Sequence, residues 1–186
     1  MFSRQFLVAC LAAGAALRAA DQPLVIDPGH SRIDVAVKAS LHSFIGHLDR
    51  YEASVALDDQ GQVKQARVRF DFHAFTTGKP DRDKAMHAWE QTDTFPLGEF
   101  VLTALRPAPG GQGFEAAGTF TFHNVTRGVT FPITISHDGT LYAIDGQVSL
   151  DTRDYGLPVI RMMAVLRVDP VVVVRFHLQG RRPSGT

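Results

Sequence analysis

Apolar and polar residues alternate along much of the chain, and the stretch "FTFHNVTRGVTFPITI" (120–135) shows this pattern clearly. Apolar side chains occupy every second position on both sides of a short polar turn that holds Asn124 and Gly128. Two such runs around a turn are typical of a β-hairpin with one apolar face. The face could contact a solid core, a membrane or a ligand, and the hairpin alone does not distinguish these environments.

The same alternation occurs in eight separate runs. Their residues are 33–37, 53–57, 66–72, 100–104, 114–122, 129–135, 142–150 and 172–178. Turn-forming segments that combine Gly with Asp, Asn or Pro separate most of these runs. Eight one-sided strands in one domain can form a closed barrel or a two-sheet sandwich. We predict an all-β fold, an eight-stranded antiparallel barrel, because closure removes the exposed strand edges.

Two segments depart from the strand pattern. The segment "KPDRDKAMHAWEQTDTFP" (79–96) has a Pro-Asp start and early acidic residues, and its Met86 and Trp89 are three positions apart on one helical face. We predict a short helix there that ends before the sequence "TFP". The segment "SLHSFIGHL" (40–48) is the candidate for a second turn of helix.

The first twenty residues have the features of a secretory signal peptide. Arg4 precedes an apolar run over residues 6–17, which is too short to span a membrane. Cys10 lies in "LVAC", which resembles a lipoprotein box, but the apolar run continues past it, so we interpret Cys10 as part of the signal peptide. The prediction is a signal peptide at 1–20 and one exported, periplasmic domain at 21–186, without an integral membrane span.

Charge and candidate chemistry exclude several classes of function. Lys plus Arg and Asp plus Glu both number 19, and no basic block points to a nucleic-acid partner. The eight histidines lack the spacing of a zinc protease motif, so no metal site is predicted. The stretch "GHSRID" (29–34) places His, Ser and Asp in one segment, whereas a catalytic triad is assembled in space. We expect His30 and Ser31 instead to satisfy backbone groups where the first strand enters the barrel. We predict a protein that is not an enzyme, needs no cofactor and has an undetermined oligomeric state, a homodimer included.

Four stretches, in this order, resemble the YceI-like family: "IDPGHSRIDVAV" (26–37), "RD" (82–83) with "TFPLGEF" (94–100), "GTFTFHNVTRGVTFPITI" (118–135) and "LDTRDYGLP" (150–158). The resemblance covers about residues 24–180. It implies a small, secreted, lipocalin-like barrel that binds an isoprenoid or another long apolar lipid. The chain departs from the family where "KAMHAWEQTD" replaces a stretch like "HLRSADFFD", and where Asn124 replaces a turn glycine.

Two interpretations of the barrel interior remain open. Apolar alternation alone is more often the signature of a filled core, which would suit a ligand-free envelope or stress-response protein. The resemblance instead implies a cavity that holds a polyisoprenoid, an isoprenoid quinone or a related lipid. On this second interpretation the predicted ligand-binding residues are Val68, Phe70, Phe72, Met86, Trp89, Phe100, Phe120, Phe122, Phe131 and Ile144.

The same resemblance gives two Arg-Asp pairs a second interpretation. Arg82 with Asp83, and Arg153 with Asp154, form loop salt bridges or helix caps in the simpler case. In the functional case an arginine near the barrel mouth contacts a lipid head group. A transmembrane barrel does not fit, since the face opposite Val68 carries Arg67 and Arg69, which lipid would not tolerate.

Overall fold

The computed structural model describes residues 21–162 and 166–183, which form antiparallel strands, one α-helix and short 3₁₀ turns. The strands are β1 (Gln22–Ile26), β2 (Arg32–Val37), β3 (Phe44–Leu48), β4 (Tyr51–Leu57), β5 (Val63–Asp71), β6 (Phe75–Thr76), β7 (Leu97–Pro107), β8 (Phe114–Phe122), β9 (Val125–Asp138), β10 (Leu141–Asp151), β11 (Arg161–Met162), β12 (Leu166–Arg167) and β13 (Val171–Arg181). The helix α1 is Pro80–Glu90. The predicted signal peptide with Cys10 lies outside the described residues.

Eight strands close into a barrel in the order β1–β4–β5–β7–β8–β9–β10–β13, and β13 pairs again with β1. The short strands β2, β3 and β6 belong to the same wall, because each lies next in the chain to one of β1, β4 and β5 and extends it beyond a bend. The 3₁₀ turns Pro28–His30 and Phe72–Ala74 form two of these bends. The predicted all-β, eight-stranded antiparallel barrel is confirmed.

Strand β5 shows how the alternation determines which side chains face inward. Ala66, Val68 and Phe70 are partly buried, whereas Arg67 and Arg69 are exposed. The strand ends at Asp71, one residue earlier than predicted, because the Asp71 carboxylate accepts a hydrogen bond of 2.9 Å from the backbone of His73 and caps a 3₁₀ turn. Phe72 therefore enters the interior from this turn rather than from the strand.

The hairpin of strands β8 and β9 has a tighter turn than the sequence predicted. Phe122 pairs directly with Val125, so only His123 and Asn124 form the turn. Both have positive φ, 49° and 56°, which matches the type I′ turn that suits the twist of a hairpin. Gly128 was predicted to belong to the turn, but it lies inside β9 and pairs with Thr119.

A β-bulge corrects the predicted orientation of one residue in β7. Leu102 pairs with Gly118 and Ala104 pairs with Ala117, so Thr103 is an extra residue in the wall. The bulge reverses the alternation. Ala104 was predicted to face inward, but it faces outward, and Leu105 packs against the core in its place.

Helix α1 is confirmed at Pro80–Glu90 and ends before the sequence "TFP". Proline at its first position, Asp81 and Asp83 in its first turn, and a left-handed Gln91 (φ 55°) after its last residue explain these bounds. Asp83 also fixes the helix to β6, since its carboxylate accepts hydrogen bonds from the backbone of Thr77 at 2.8 Å and from the Thr76 hydroxyl at 2.9 Å.

The predicted helical turn in residues 40–48 is wrong, because Phe44–Leu48 is strand β3. This strand has a period of two, but its central inward position is Gly46, which interrupts the apolar pattern. The ring of Phe75 lies over Gly46, so no side chain fits at that position. Within the described part of the chain, no helix is both long enough and apolar enough to cross a membrane.

Candidate ligand-binding cavity

The interior of the barrel is not filled by side chains, since it holds a cavity of about 820 Å³. Such a volume lies within the range of about 300–1,000 Å³ that is typical of small-molecule sites. The lining is predominantly apolar and comes from both the barrel wall and helix α1. A filled core was one of the two predicted interiors, and the described residues do not form one.

All ten predicted ligand-binding residues line this cavity, so the structure brings them together around one space. They come from strand β5 and the turn after it, helix α1, and strands β7 to β10, and are Val68, Phe70, Phe72, Met86, Trp89, Phe100, Phe120, Phe122, Phe131 and Ile144. Their role in binding stays a prediction.

Four inward glycines explain how so many phenylalanines leave space between them. Each glycine lies under a phenylalanine ring from a neighbouring strand, in the pairs Phe70–Gly98, Phe75–Gly46, Phe100–Gly118 and Phe176–Gly146. A methyl group added to any of these glycines would come closer than 3.0 Å to at least two ring carbons. The rings therefore lie against the wall, where a larger residue than glycine would displace them toward the centre.

The phenylalanines differ in how tightly they pack. Phe72 and Phe122 are buried together with Tyr155 and Leu157, and the centroids of the two phenylalanine rings are 4.5 Å apart. Phe70 is only partly buried and touches this cluster from its edge, with its ring centroid 4.9 Å from that of Phe72. Phe72 and Phe122 thus pack in a small buried cluster at one side of the cavity that they also line, whereas Phe70 is only partly buried.

The two ends of the barrel are closed differently. At one end Leu57 is fully buried, and the Tyr142 hydroxyl donates a hydrogen bond of 3.1 Å to the carbonyl of Gly61 across the opening. At the other end helix α1 lies beside the segment 158–160, and both line the cavity. The indole Nε1 of Trp89 donates a hydrogen bond of 2.8 Å to the carbonyl of Pro158 and links the two. Among the described residues, this is the one hydrogen bond between α1 and the segment 158–160, so we expect a ligand to enter between them.

Glu90 is a buried acidic residue of the lining that the sequence prediction missed. It is the last residue of α1, lies on the cavity wall and is only 7% exposed. Burial raises the pKa of its carboxyl group to about 8, and a hydrogen bond with the hydroxyl of Thr92 only partly opposes this. The one available signal was the departure "KAMHAWEQTD", in which Glu90 follows the inward Trp89 directly.

The model of the YceI-like domain family matches residues 24–180. The chain belongs to the YceI-like family. The family match and the barrel agree in extent, since the matched residues begin in β1 and end in β13. Among curated proteins, none matches the chain significantly.

Solved structures of the YceI-like fold resemble the chain over most of their length. Burkholderia cenocepacia BcnA is 21% identical with a TM-score of 0.73, covering 83% of this chain and 98% of its own. A polyisoprenoid binding domain from Saccharophagus degradans, implicated in plant cell wall breakdown, is 17% identical with a TM-score of 0.64, covering 88% and 100%. The YceI protein of Campylobacter jejuni is 11% identical with a TM-score of 0.62, covering 75% and 85%. These likenesses establish the fold.

Neither arginine of the two Arg-Asp pairs bonds to the aspartate beside it. Arg82 donates from Nε to the hydroxyl of Thr77 at 2.8 Å, and its guanidinium lies 4.2 Å from the ring centroid of Phe44. Arg153 pairs with Asp151, at 2.9 Å from Nε to Oδ1. Of the two arginines, only Arg82 reaches the cavity lining.

The segment "GHSRID" acts as a structural junction. The hydroxyl of Ser31 donates to the carbonyl of Asp27 at 2.7 Å and accepts from the backbone of Gln179 at 2.9 Å, so it satisfies backbone groups as predicted. His30 was expected to do the same, but its Nδ1 contacts the Asp27 side chain at 2.9 Å. Among the residues that the structure describes, no group of three or more His, Cys, Asp or Glu side chains could hold a metal ion.

Proposed function

We propose that this YceI-like protein binds one long apolar lipid, a polyisoprenoid or an isoprenoid quinone, inside the barrel for carriage, storage or sequestration. The observation that carries the proposal is the apolar cavity of about 820 Å³ between the phenylalanine rings. The polyisoprenoid binding domain from Saccharophagus degradans, which has the same fold, supports the class of ligand. The proposed role is binding without catalysis.

The energy of burial is sufficient for tight binding. A methylene group gains about 0.8 kcal/mol on transfer from water, so a chain of about twenty methylenes gains roughly 16 kcal/mol gross. Lost motion of the lipid and ordering of the protein remove a large part of this. We expect the remainder to keep the lipid bound through purification.

The decisive experiment is extraction of the purified protein. Protein made in its native host and purified without detergent should release one apolar chain into organic solvent, identified by mass spectrometry at about one molecule per chain. Protein from which the lipid has been removed, called stripped protein below, should take up added ubiquinone or polyprenol. The fluorescence of Trp89, which is the only tryptophan and lines the cavity, reports this uptake. The absence of both extracted and added lipid would contradict the proposal and favour a ligand-free role.

We further propose that the protein is exported to the periplasm and loses about its first twenty residues. The support is the order of Arg4, the apolar run at 6–17 and the small residues that follow. The mass of the protein isolated from the cell envelope of its native host measures this directly. Full-length protein in the cytoplasm would contradict export, and a diacylglyceryl group on Cys10 would show that the lipoprotein interpretation was wrongly set aside.

A further inference from the structure

Glu90 is a buried carboxyl group on the wall of a predominantly apolar cavity. No Lys, Arg or His of the described residues forms an ion pair with it. Its one hydrogen-bonding partner there is the hydroxyl of Thr92, which is 3.4 Å from Oε2. A carboxylate buried without a cation is strongly disfavoured. Burial accordingly raises the pKa of Glu90 to about 8, so the group is protonated near neutral pH.

The contacts of Thr92 leave hydrogen-bonding capacity on Glu90. The Thr92 hydroxyl is also 3.2 Å from the carbonyl of His87, and its single hydrogen cannot serve both acceptors fully. The second carboxyl oxygen of Glu90, Oε1, has no partner among the described residues. A protonated carboxyl group has one donor and one acceptor. If Thr92 donates to the carboxyl group of Glu90, the carboxyl O–H is available to a molecule in the cavity. If Thr92 accepts from that O–H, the carboxyl acceptor is available instead.

None of the cations that line the cavity forms an ion pair with Glu90. Arg82 lines the cavity, but its guanidinium is bonded to Thr77 and stacked on Phe44. Arg161 and His42 also line it, and both are exposed. A phosphate group next to Glu90 would bring a second acid beside a buried carboxyl group that pairs with no described cation, which is unfavourable.

We propose that Glu90 is the head-group anchor of the cavity, and that its carboxyl group hydrogen-bonds to an uncharged oxygen at the end of the lipid. The cavity would then select long-chain alcohols and quinone carbonyls over phosphorylated lipids that have the same chain. This inference rests on the proposed function, because it names the head group of the lipid that the barrel binds.

The test compares two ligands with the same C20 chain, geranylgeraniol and geranylgeranyl diphosphate, with the headless hydrocarbon phytane as reference. Titrations at about pH 6.5, followed by Trp89 fluorescence, use conditions below the raised pKa of Glu90. The variants are Glu90→Leu, which removes the hydrogen bond, and Glu90→Gln, which keeps a donor and an acceptor. Glu52→Gln is the matched control, since Glu52 is exposed on the outer face of β4.

We expect wild-type protein to bind geranylgeraniol more than about tenfold tighter than the diphosphate, because the diphosphate must lose its hydration beside a buried acid. Glu90→Leu should weaken binding of the alcohol about five- to tenfold, as for a lost hydrogen bond, and leave binding of phytane unchanged. Glu90→Gln should retain the affinity for the alcohol within about threefold, and Glu52→Gln should change nothing.

Two kinds of failure are distinguishable. If the diphosphate binds as tightly as the alcohol, or if Glu90→Leu binds the alcohol as well as wild type does, the anchor is wrong and lipid binding stands. If wild-type protein binds none of the three ligands, the proposed function itself fails. The comparison of ligands in the wild type needs no variant, so the anchor remains falsifiable even if Glu90→Leu does not fold.

Discussion

The ring of Phe70 lies over Gly98, its directly paired residue on the neighbouring strand. Three other phenylalanine rings lie over glycines in the same way, so the space that each glycine leaves is occupied by a ring and the centre of the barrel stays open. A barrel of eight strands is only just wide enough for its side chains to fill it. The glycines are therefore as important for the cavity as the phenylalanines that line it.

Gly98→Ala should reduce the capacity for lipid more than it reduces stability. The new methyl group would overlap the ring of Phe70, and the ring can rotate into the cavity that it borders. We expect a loss of about 1–2 kcal/mol, which is at the low end for overpacked cores. Denaturant unfolding of stripped protein and the amount of bound lipid, measured side by side, test this.

Gly128→Ala is the matched control for Gly98→Ala. Gly128 also lies inside a strand, but an added methyl group would meet nothing within 4 Å. We expect unchanged lipid binding and unchanged or slightly higher stability, because alanine restricts the unfolded chain. Equal loss of lipid in both variants would mean that the Phe70–Gly98 contact does not maintain the cavity.

Alanine substitutions should distinguish a partly buried ring of the lining, Phe70, from a lining ring that also packs in a buried cluster, Phe122. Phe122→Ala removes a buried ring and should cost about 3–5 kcal/mol of stability. Phe70→Ala removes a partly buried ring that borders open space, so it should cost less, about 1–2 kcal/mol by area. Relative to wild type, Phe70→Ala should lose a larger fraction of its bound lipid than of its free energy of unfolding.

The control for the ring substitutions is Arg69→Ala. Arg69 lies next to Phe70 on the outer face and forms an exposed ion pair of 3.1 Å with Glu99, so its loss should cost less than about 1 kcal/mol. Denaturant unfolding of the stripped proteins measures the free energy of unfolding of all three variants. If Phe70→Ala costs as much as Phe122→Ala and neither wild type nor variant holds lipid, the phenylalanines serve only as core.

The alternation of the sequence was enough to predict the barrel and the strand residues of the predicted lining. In Val68 and Phe70, for example, the inward position follows from the period of two, which the pairing of β5 with β4 and β7 preserves. Closure of the sheet then brings inward residues from distant strands around one space. The sequence did not predict whether that space is empty, because this depends on how far each ring reaches.

The residues that were predicted wrongly depend on contacts between distant parts of the chain. Gly46 interrupts the apolar alternation of strand β3, because the side chain that fills this inward position is the ring of Phe75 from another strand. The bulge at Thr103 is defined by the pairing with β8 and has no signal in β7 alone. Glu90 resembled an ordinary polar residue on a short helix, and only the position of that helix over the barrel shows that it is buried.

Trp89→Phe should accelerate release of the lipid. The substitution keeps an aromatic ring but removes the hydrogen bond from Nε1 to the carbonyl of Pro158, which links α1 to the segment 158–160. A loss of about 1 kcal/mol at this link corresponds to roughly fivefold faster release. Displacement of isotope-labelled lipid, followed by mass spectrometry, measures the rate without the tryptophan.

Thr121→Val provides the comparison for the Trp89 variant. It removes a hydrogen bond of 2.8 Å between the hydroxyls of Thr121 and Thr126, which lies on the exposed face of the hairpin away from the cavity. We expect an unchanged rate of release. Equal rates in Trp89→Phe and wild type would show that the lipid leaves by another path, or that this link is not limiting.

The stability of the protein should fall as the pH rises, because of Glu90. Its pKa is about 8 in the folded protein and 4.5 for a solvated glutamate, so between these values the folded protein holds a proton that the unfolded chain has lost. Stability therefore decreases with pH in this window, by about 1.4 kcal/mol per pH unit for one group. The contribution is fully present below about pH 4.5 and is lost as the pH rises through about 8, a total of roughly 5 kcal/mol.

Glu90→Gln isolates this effect from the other titrating groups, since it differs from wild type in that carboxyl group alone. Urea unfolding of stripped wild type and variant from about pH 5 to 9 should show similar stability at the acidic end. As the pH rises to about 8, the free energy of unfolding of the variant should increasingly exceed that of wild type. Above about pH 8 the difference between the two should stay constant. Glu52→Gln, on the exposed face of β4, should follow wild type throughout. Parallel curves for wild type and Glu90→Gln would show that the carboxyl group is solvated in the folded protein, and the head-group anchor would then lose its physical basis.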